Sequence, residues 1–336
     1  MLYGNGRSPV GFFPGSGSRS PVLDLVACLL LLTAIVGCSD ADPNTPEDPA
    51  DNPAPPASVV KLVFIHHSTG GNWLADDNGA LGLALGANNY FVSDTNYGWG
   101  PDSIGDTTDI PDWLTWFRSA STPTYMAALF AESGQHAAYS RSVADPGGEN
   151  EIIVFKSCFP NSALTGSPSD TPSPDGWLTV GHAKYVYNEL LAYFGEHPDK
   201  LFVVITAPPL SDPAYAANAR AFNQWLVNDW LDQYSTTLKN VAVFDFYNVL
   251  TSNGGNTGSN DLGAVAGNHH RWWNGAVQHK TDGGSDVLAY ASSGGDDHPS
   301  PAGNRKATAE FVPMLNFFTN RWRDDVAPLG RLRRAP

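Results

Sequence analysis

Cysteine is nearly absent from this chain: 336 residues carry only Cys28, Cys38 and Cys158. No disulfide framework can hold it, so the fold stands on a hydrophobic core, which a chain of this length can bury. Cations are scarce too, with 19 Lys and Arg against 34 Asp and Glu and a formal net charge of -15. With so little positive surface to displace counterions, nucleic acid is excluded as a natural partner. The strongest apolar run, inside Val22 to Val36, falls short of the ~20 residues that cross a bilayer. What is plentiful is 33 Gly, 26 Pro and 10 Trp, with only 16% charged residues. That balance fits a loop-rich extracytoplasmic protein.

Residues 1–38 read as an export signal. Arg7 and Arg19 precede Val26-Ala27-Cys28-Leu29-Leu30-Leu31-Leu32, and the segment closes in Ile35-Val36-Gly37-Cys38. Small residues before a cysteine resemble a bacterial lipobox, so Cys38 is the expected lipidation site. This makes the chain a lipid-anchored lipoprotein of the cell envelope or cell surface. Residues 39–58 are rich in Asp, Pro, Ala and Asn with little to bury, and are expected to form a disordered tether. Cys158 is then left without a partner and reads as a small buried filler at a strand end.

The expected domain spans residues 59–320, with a frayed basic tail over 321–336. Four apolar runs, Val59 to Ile65, Glu151 to Phe155, Leu201 to Ile205 and Val241 to Phe246, are nearly continuous in branched and aromatic residues. Strands buried on both faces of a parallel sheet read this way. Tyr90 to Ser93 is a weaker fifth. Between them, apolar residues step by four at Val186, Leu190 and Phe194, and again at Phe222, Leu226 and Trp230. The alternation predicts an α/β fold, a three-layer α/β/α sandwich around a mostly parallel five-stranded sheet. A last helix is expected from Ser300-Pro301 through Ala307, Phe311 and Leu315, with Pro313 kinking it or ending it early. Thr251 to Gly295 is too long for a simple connection and leads straight to a histidine, so it is expected to be a lid or substrate wall.

Two short motifs carry the chemistry. His66-His67-Ser68-Thr69-Gly70-Gly71 follows the first apolar run, and Asp296-Asp297-His298-Pro299-Ser300 precedes the last helix. An alcohol is a weak nucleophile that needs an imidazole to take its proton and a carboxylate to orient that imidazole. In a doubly wound sheet the strand C-termini form the ligand-binding rim, which both motifs can reach. Backbone N–H groups after Ser68 can receive an oxyanion.

On these blocks the chain resembles the SGNH (GDSL-like) hydrolases, over roughly Val59 to Asn316. The resemblance implies a flavodoxin-like fold, Ser68 as nucleophile, His298 as base, and an oxyanion hole of the Ser68 amide, a glycine and an asparagine. The glycine is expected to be Gly98 in Asn96-Tyr97-Gly98-Trp99-Gly100, with Gly100 as the alternative, and the asparagine Asn161 in Phe155-Lys156-Ser157-Cys158-Phe159-Pro160-Asn161. Here His66-His67 replaces the family's Gly-Asp before serine. Gly295 occupies the usual position of the acid, three residues before the histidine, so Asp296 or Asp297 must supply the carboxylate. Asp296 is preferred because the side chain of the immediate neighbour tends to point away, and Asp212 is held in reserve.

His67, Trp99, His269, His270 and Trp272 are expected to line the substrate, since imidazoles bind hydroxyls and tryptophans stack on sugars. Of the adjacent histidines, one is expected to be buried and the other to face the site. No cofactor or metal is expected, there being no helical His-x-x-x-His spacing. The resulting expectation is an ester hydrolase acting through an acyl-enzyme on a small-molecule or carbohydrate ester, plausibly an O-acetyl group. An O-acyltransferase of the same fold, a non-catalytic glycan-binding lipoprotein and a metal-dependent hydrolase are the competing readings.

Overall fold

A computed structural model describes residues 53–230, 238–252, 270–273, 276–279 and 286–332, the backbone alone in 270–279 and from 325 onward. The export segment, Cys38, most of the tether and His269 lie outside the described residues. The sheet is α/β and all parallel, with five strands in the order β2-β1-β3-β4-β5. These are β1 (Val60–Ile65), β2 (Tyr90–Thr95), β3 (Ile152–Lys156), β4 (Leu201–Ile205) and β5 (Val241–Phe244). The weak fifth run is therefore a full edge strand, in register with β1 from Val60 opposite Tyr90 to Ile65 opposite Thr95. β5 stops at Phe244 rather than Phe246, because the Asp245 side chain accepts the Asn248 N–H at 3.0 Å and starts a helix there.

Every residue of β1 to β5 is buried, and successive residues serve opposite cores. Val63, Ile65, Ile153, Phe155, Phe202 and Val204 face one side. There they meet α3 (Trp113–Arg118), α5 (Val180–Glu196) and α6 (Ala216–Gln224), with α4 (Thr122–Ala131) alongside. Leu62, Phe64, Val154, Val203 and Phe244 face the other side. They meet α1 (Ser68–Leu74), α2 (Leu81–Ala87), α7 (Phe246–Thr251) and α8 (Pro301–Leu332). This accounts for the unbroken apolar runs: a strand between two helical layers has no polar face.

Three boundaries differ from the sequence expectation. The chain from Pro53 is not free, because Asn316 Nδ2 donates to the Pro53 carbonyl at 3.0 Å and Asn89 Nδ2 to the Pro56 carbonyl at 2.8 Å. Helix α8 neither ends at Pro313 nor frays after residue 320. Pro313 and Ala309 both face solvent, so the carbonyl that proline leaves without an N–H can be hydrated. Beyond Arg321 the helix is docked: Arg321 donates to the Val241 carbonyl at 3.0 Å, Trp322 to the Pro198 carbonyl at 2.8 Å and Arg323 to Glu151 at 3.0 Å. Within Thr251 to Gly295 lies an antiparallel pair, β6 (His270–Trp273) and β7 (Ala276–His279), with β6 alongside α8. The chain turns from β1 to β2 on one side and to β3 on the other, so the crevice between β1 and β3 is the topological switch point. Among the described residues, no helix is long and apolar enough to cross a membrane.

Candidate active site

Ser68 opens α1 directly above β1. The preceding His67 has extended backbone, and its carbonyl accepts the N–H groups of Gly70 at 2.9 Å and Gly71 at 3.0 Å. Strand therefore passes to helix within two residues, which leaves the Ser68 side chain on the rim. Beneath it, His66 Nε2 lies 3.0 Å from Asp94 Oδ2 and His66 Nδ1 2.8 Å from the His67 carbonyl. Both contacts are to oxygen acceptors, so the buried ring is held on two sides. Asp94 also accepts the His136 N–H at 2.8 Å and the Tyr139 hydroxyl at 2.9 Å. Burial pushes the Asp94 carboxyl up, but the bonds from His66, His136 and Tyr139 outweigh it and hold it below the ordinary carboxylate value. This network pins the peptide on which Ser68 stands.

His298 arrives from the far end of the chain. The segment before α8 folds back on itself: Ala291 bridges Pro299, Ser300 N–H donates to the Tyr290 carbonyl at 2.7 Å, and Gly295 turns with φ 74°. His298 Nε2 then lies 2.8 Å from Ser68 Oγ. On its other side, Nδ1 lies 3.1 Å from Asp296 Oδ2. Asp296 Oδ1 accepts the His298 N–H at 3.0 Å and the Ser292 hydroxyl at 2.9 Å. These bonds, the backbone one first, hold the Asp296 carboxyl below its ordinary range, so it remains a carboxylate at neutral pH. A residue only two positions before the histidine reaches the ring because its carboxylate closes a turn over the histidine N–H. Phe159 packs edge-on against the His298 ring, centroids 5.0 Å apart. The histidine side chain is 24% exposed and that of Asp296 58%, so the relay lies open to solvent on its acid side.

Other residues singled out from sequence are engaged elsewhere. Asp297 accepts the Ser211 N–H at 2.7 Å and Asp212 the Ala214 N–H at 2.9 Å, so neither serves His298. The Gly98 N–H donates to Asp106 Oδ1 at 2.7 Å, which leaves it unavailable to an oxyanion in this conformation. Asn161 is buried, with Nδ2 donating to Asp109 at 2.7 Å and Oδ1 accepting the Ile110 N–H at 2.7 Å. Its amide staples the loop after β3 to the one before α3 instead of facing Ser68.

Trp99 is a core residue, its indole N–H bonded to Glu132 and its ring stacked on Trp116. Both adjacent histidines are buried, contrary to the expectation that one faces substrate. His67 donates through Nε2 to the Gly105 carbonyl at 2.7 Å, with Nδ1 3.0 Å from the Thr108 hydroxyl. Burial lowers its pKa. The backbones of His270 and Trp272 lie in β6, and their side chains are outside what is described.

Sequence reasoning missed Tyr97. It is 62% exposed, stacks on His67 with centroids 3.8 Å apart, and its hydroxyl faces both the Ser68 hydroxyl and the Ser68 N–H. An aromatic beside the glycine pair Gly98 and Gly100 was the available signal. Ser292 was also missed and had none, since its role exists only once the segment folds back. Cys158 is half-buried at the end of β3, with Sγ 3.7 Å from the Thr69 hydroxyl and 3.6 Å from Lys156 Nζ, so it is more than a filler.

No protein-family model matches the chain, and no curated protein sequence matches it.

Proposed function

We propose that the chain is a serine hydrolase of the SGNH-like kind, cleaving an ester through an acyl-enzyme on Ser68. The observation that carries this reading is the continuous relay Ser68 Oγ, His298 Nε2, His298 Nδ1, Asp296 Oδ2, each link at hydrogen-bond distance. His298 takes the Ser68 proton as Oγ attacks the ester carbonyl, and Asp296 stabilises the imidazolium that forms. The Ser68 N–H receives the developing oxyanion, a place that the Tyr97 hydroxyl faces in the free protein. His298 returns the proton to the departing alcohol, and water then repeats the sequence on the acyl-enzyme. A sugar hydroxyl in place of that water would make the same machinery an acyltransferase.

The non-catalytic binding reading gains nothing from a fully bonded relay at the switch point of the sheet. The metal-dependent reading is disfavoured because the nitrogens of His66 and His67 are already bonded to Asp94, backbone carbonyls and Thr108. The carbohydrate part of the substrate rests on the exposed Tyr97 ring beside Ser68, not on Trp99. Lipid anchoring on Cys38 at the cell envelope belongs to the same proposal. Its check is incorporation of radiolabelled palmitate, lost in Cys38→Ser.

The deciding experiment is labelling with a fluorophosphonate probe together with hydrolysis of p-nitrophenyl acetate. The folded wild type is expected to label and to turn over, and Ser68→Ala to do neither. A folded wild type that neither labels nor hydrolyses would overturn the reading.

A further inference from the structure

We propose that Cys158 is a second nucleophile of this site, a thiolate paired with the buried Lys156 amine, which captures soft carbon electrophiles and thereby closes Ser68 to substrate. Only the closure rests on the hydrolase reading. Lys156 ends β3 with its side chain 0% exposed. Its Nζ donates to the Ser157 carbonyl at 3.2 Å and reaches Cys158 Sγ at 3.6 Å, and among the described residues no carboxylate lies against it. Burial penalises the ammonium form of an interior lysine, and an anion beside it offsets that penalty. The thiol is the group in reach that can become one.

The other side of the sulfur is prepared in the same sense. Sγ lies 3.7 Å from the Thr69 hydroxyl and faces the Thr69 N–H and the Ser68 hydroxyl. Burial pushes the Cys158 thiol up, but the Lys156 charge and the bonds at Thr69 outweigh it and hold the group below the ordinary thiol value. Burial likewise pulls Lys156 below the ordinary amine value, with the thiolate opposing. Lys156 is sealed, whereas Cys158 is only half-buried, so a small reagent can reach the sulfur. It stands past the end of β3, across the crevice from the end of β1, and touches Thr69, the residue that follows Ser68.

With an alkyl halide the step balances without a co-reactant. The thiolate pair forms the S–C bond as the carbon–halogen bond breaks, and halide leaves with its electrons. The adduct occupies the approach of a carbonyl to Ser68.

The test treats the full chain with iodoacetamide between pH ~5 and ~9, a range that brackets the ordinary thiol pKa of ~8.5. Alkylation is followed by mass spectrometry of the peptide carrying Cys158. The rate in the folded protein is expected to have its midpoint below the ordinary value, and Lys156→Met to move it back up. Thr69→Val, which keeps the charge pair, is expected to move it less, and supplies the comparison should Lys156→Met not fold. Alkylated wild type is expected to lose fluorophosphonate labelling of Ser68, while Cys158→Ser carried through the same treatment keeps it. An ordinary midpoint, or alkylation only on unfolding, would overturn the thiolate. Undiminished Ser68 labelling after complete alkylation would overturn the closure. If untreated protein never labels at Ser68, the hydrolase reading fails and the alkylation midpoint still decides Cys158.

Discussion

At the residue scale the relay is unusual in the exposure of its acid. A carboxylate in contact with water acts through a high dielectric, so its charge stabilises the imidazolium less than a buried one does. Asp296→Asn is therefore expected to lower kcat by about 10 to 10²-fold, short of the ~10⁴-fold loss found where a triad aspartate is buried. Ser292→Ala should lower it by a smaller factor, and ester turnover by both variants measures this. A loss for Asp296→Asn as complete as that for Ser68→Ala would refute the screening argument.

Asn161→Ala is expected to act on stability, by about 1 to 3 kcal/mol, because it leaves the Ile110 N–H and Asp109 without their partner. Thermal melting beside kcat separates this from an oxyanion role, which predicts a fall of about 10²-fold or more with an unchanged melting temperature. The meeting of Ser68 and His298 was legible because the two motifs stand at a strand exit and a helix entrance on the same rim. Asn161, His67 and Trp99 were misread because their partners, Asp109, Gly105 and Glu132, come from separate loops, and Gly98 because Asp106 folds back onto it from eight residues further on. Nothing local says whether an amide or an indole faces a cleft or a neighbouring loop.

At the element scale the junction of β1 with α1 is set by close packing. A Cβ on Gly70 would stand 2.3 Å from His66 Cβ, and the His66 ring cannot yield because both its nitrogens are held. Gly70→Ala is expected to destabilise by on the order of 1 to 3 kcal/mol, and to lower ester turnover as Ser68 shifts with the helix start. A variant that melts like wild type would show that the ring has room after all. In α8, Pro313 interrupts the hydrogen-bond ladder on the solvent face. Pro313→Ala restores a donor for the Ala309 carbonyl and should raise stability by about 1 to 2 kcal/mol, readable as a higher melting temperature. The strands were legible from runs that are apolar on both faces. The full length of α8 was not, since the docking of Arg321, Trp322 and Arg323 depends on β5, Pro198 and Glu151 lying beside them.

For the whole molecule, stability is expected to fall in two steps on acidification. Burial lowers the His67 pKa, so its contribution is complete above the ordinary histidine value of ~6.5 and is lost as the pH falls through the lower folded value. Asp94 is held below the ordinary carboxylate value of ~3.9, so its contribution is present above that pH and is lost as the pH falls through its folded value. Melting temperature against pH should show the upper step, and His67→Gln should flatten it. An identical profile in that variant would assign the step to another group.

The order of strands and helices, the burial of the sheet on both faces and the positions of the alcohol and imidazole follow from residue type and periodicity, which are local properties of the chain. Tertiary structure alone decided that Asp296 and not Asp297 orients His298, that Asn161 is a staple, that both histidines before Ser68 are buried, and that Lys156 faces Cys158. Each of these depends on a partner within about 3 to 4 Å, and spacing along the chain does not specify which distant group arrives there.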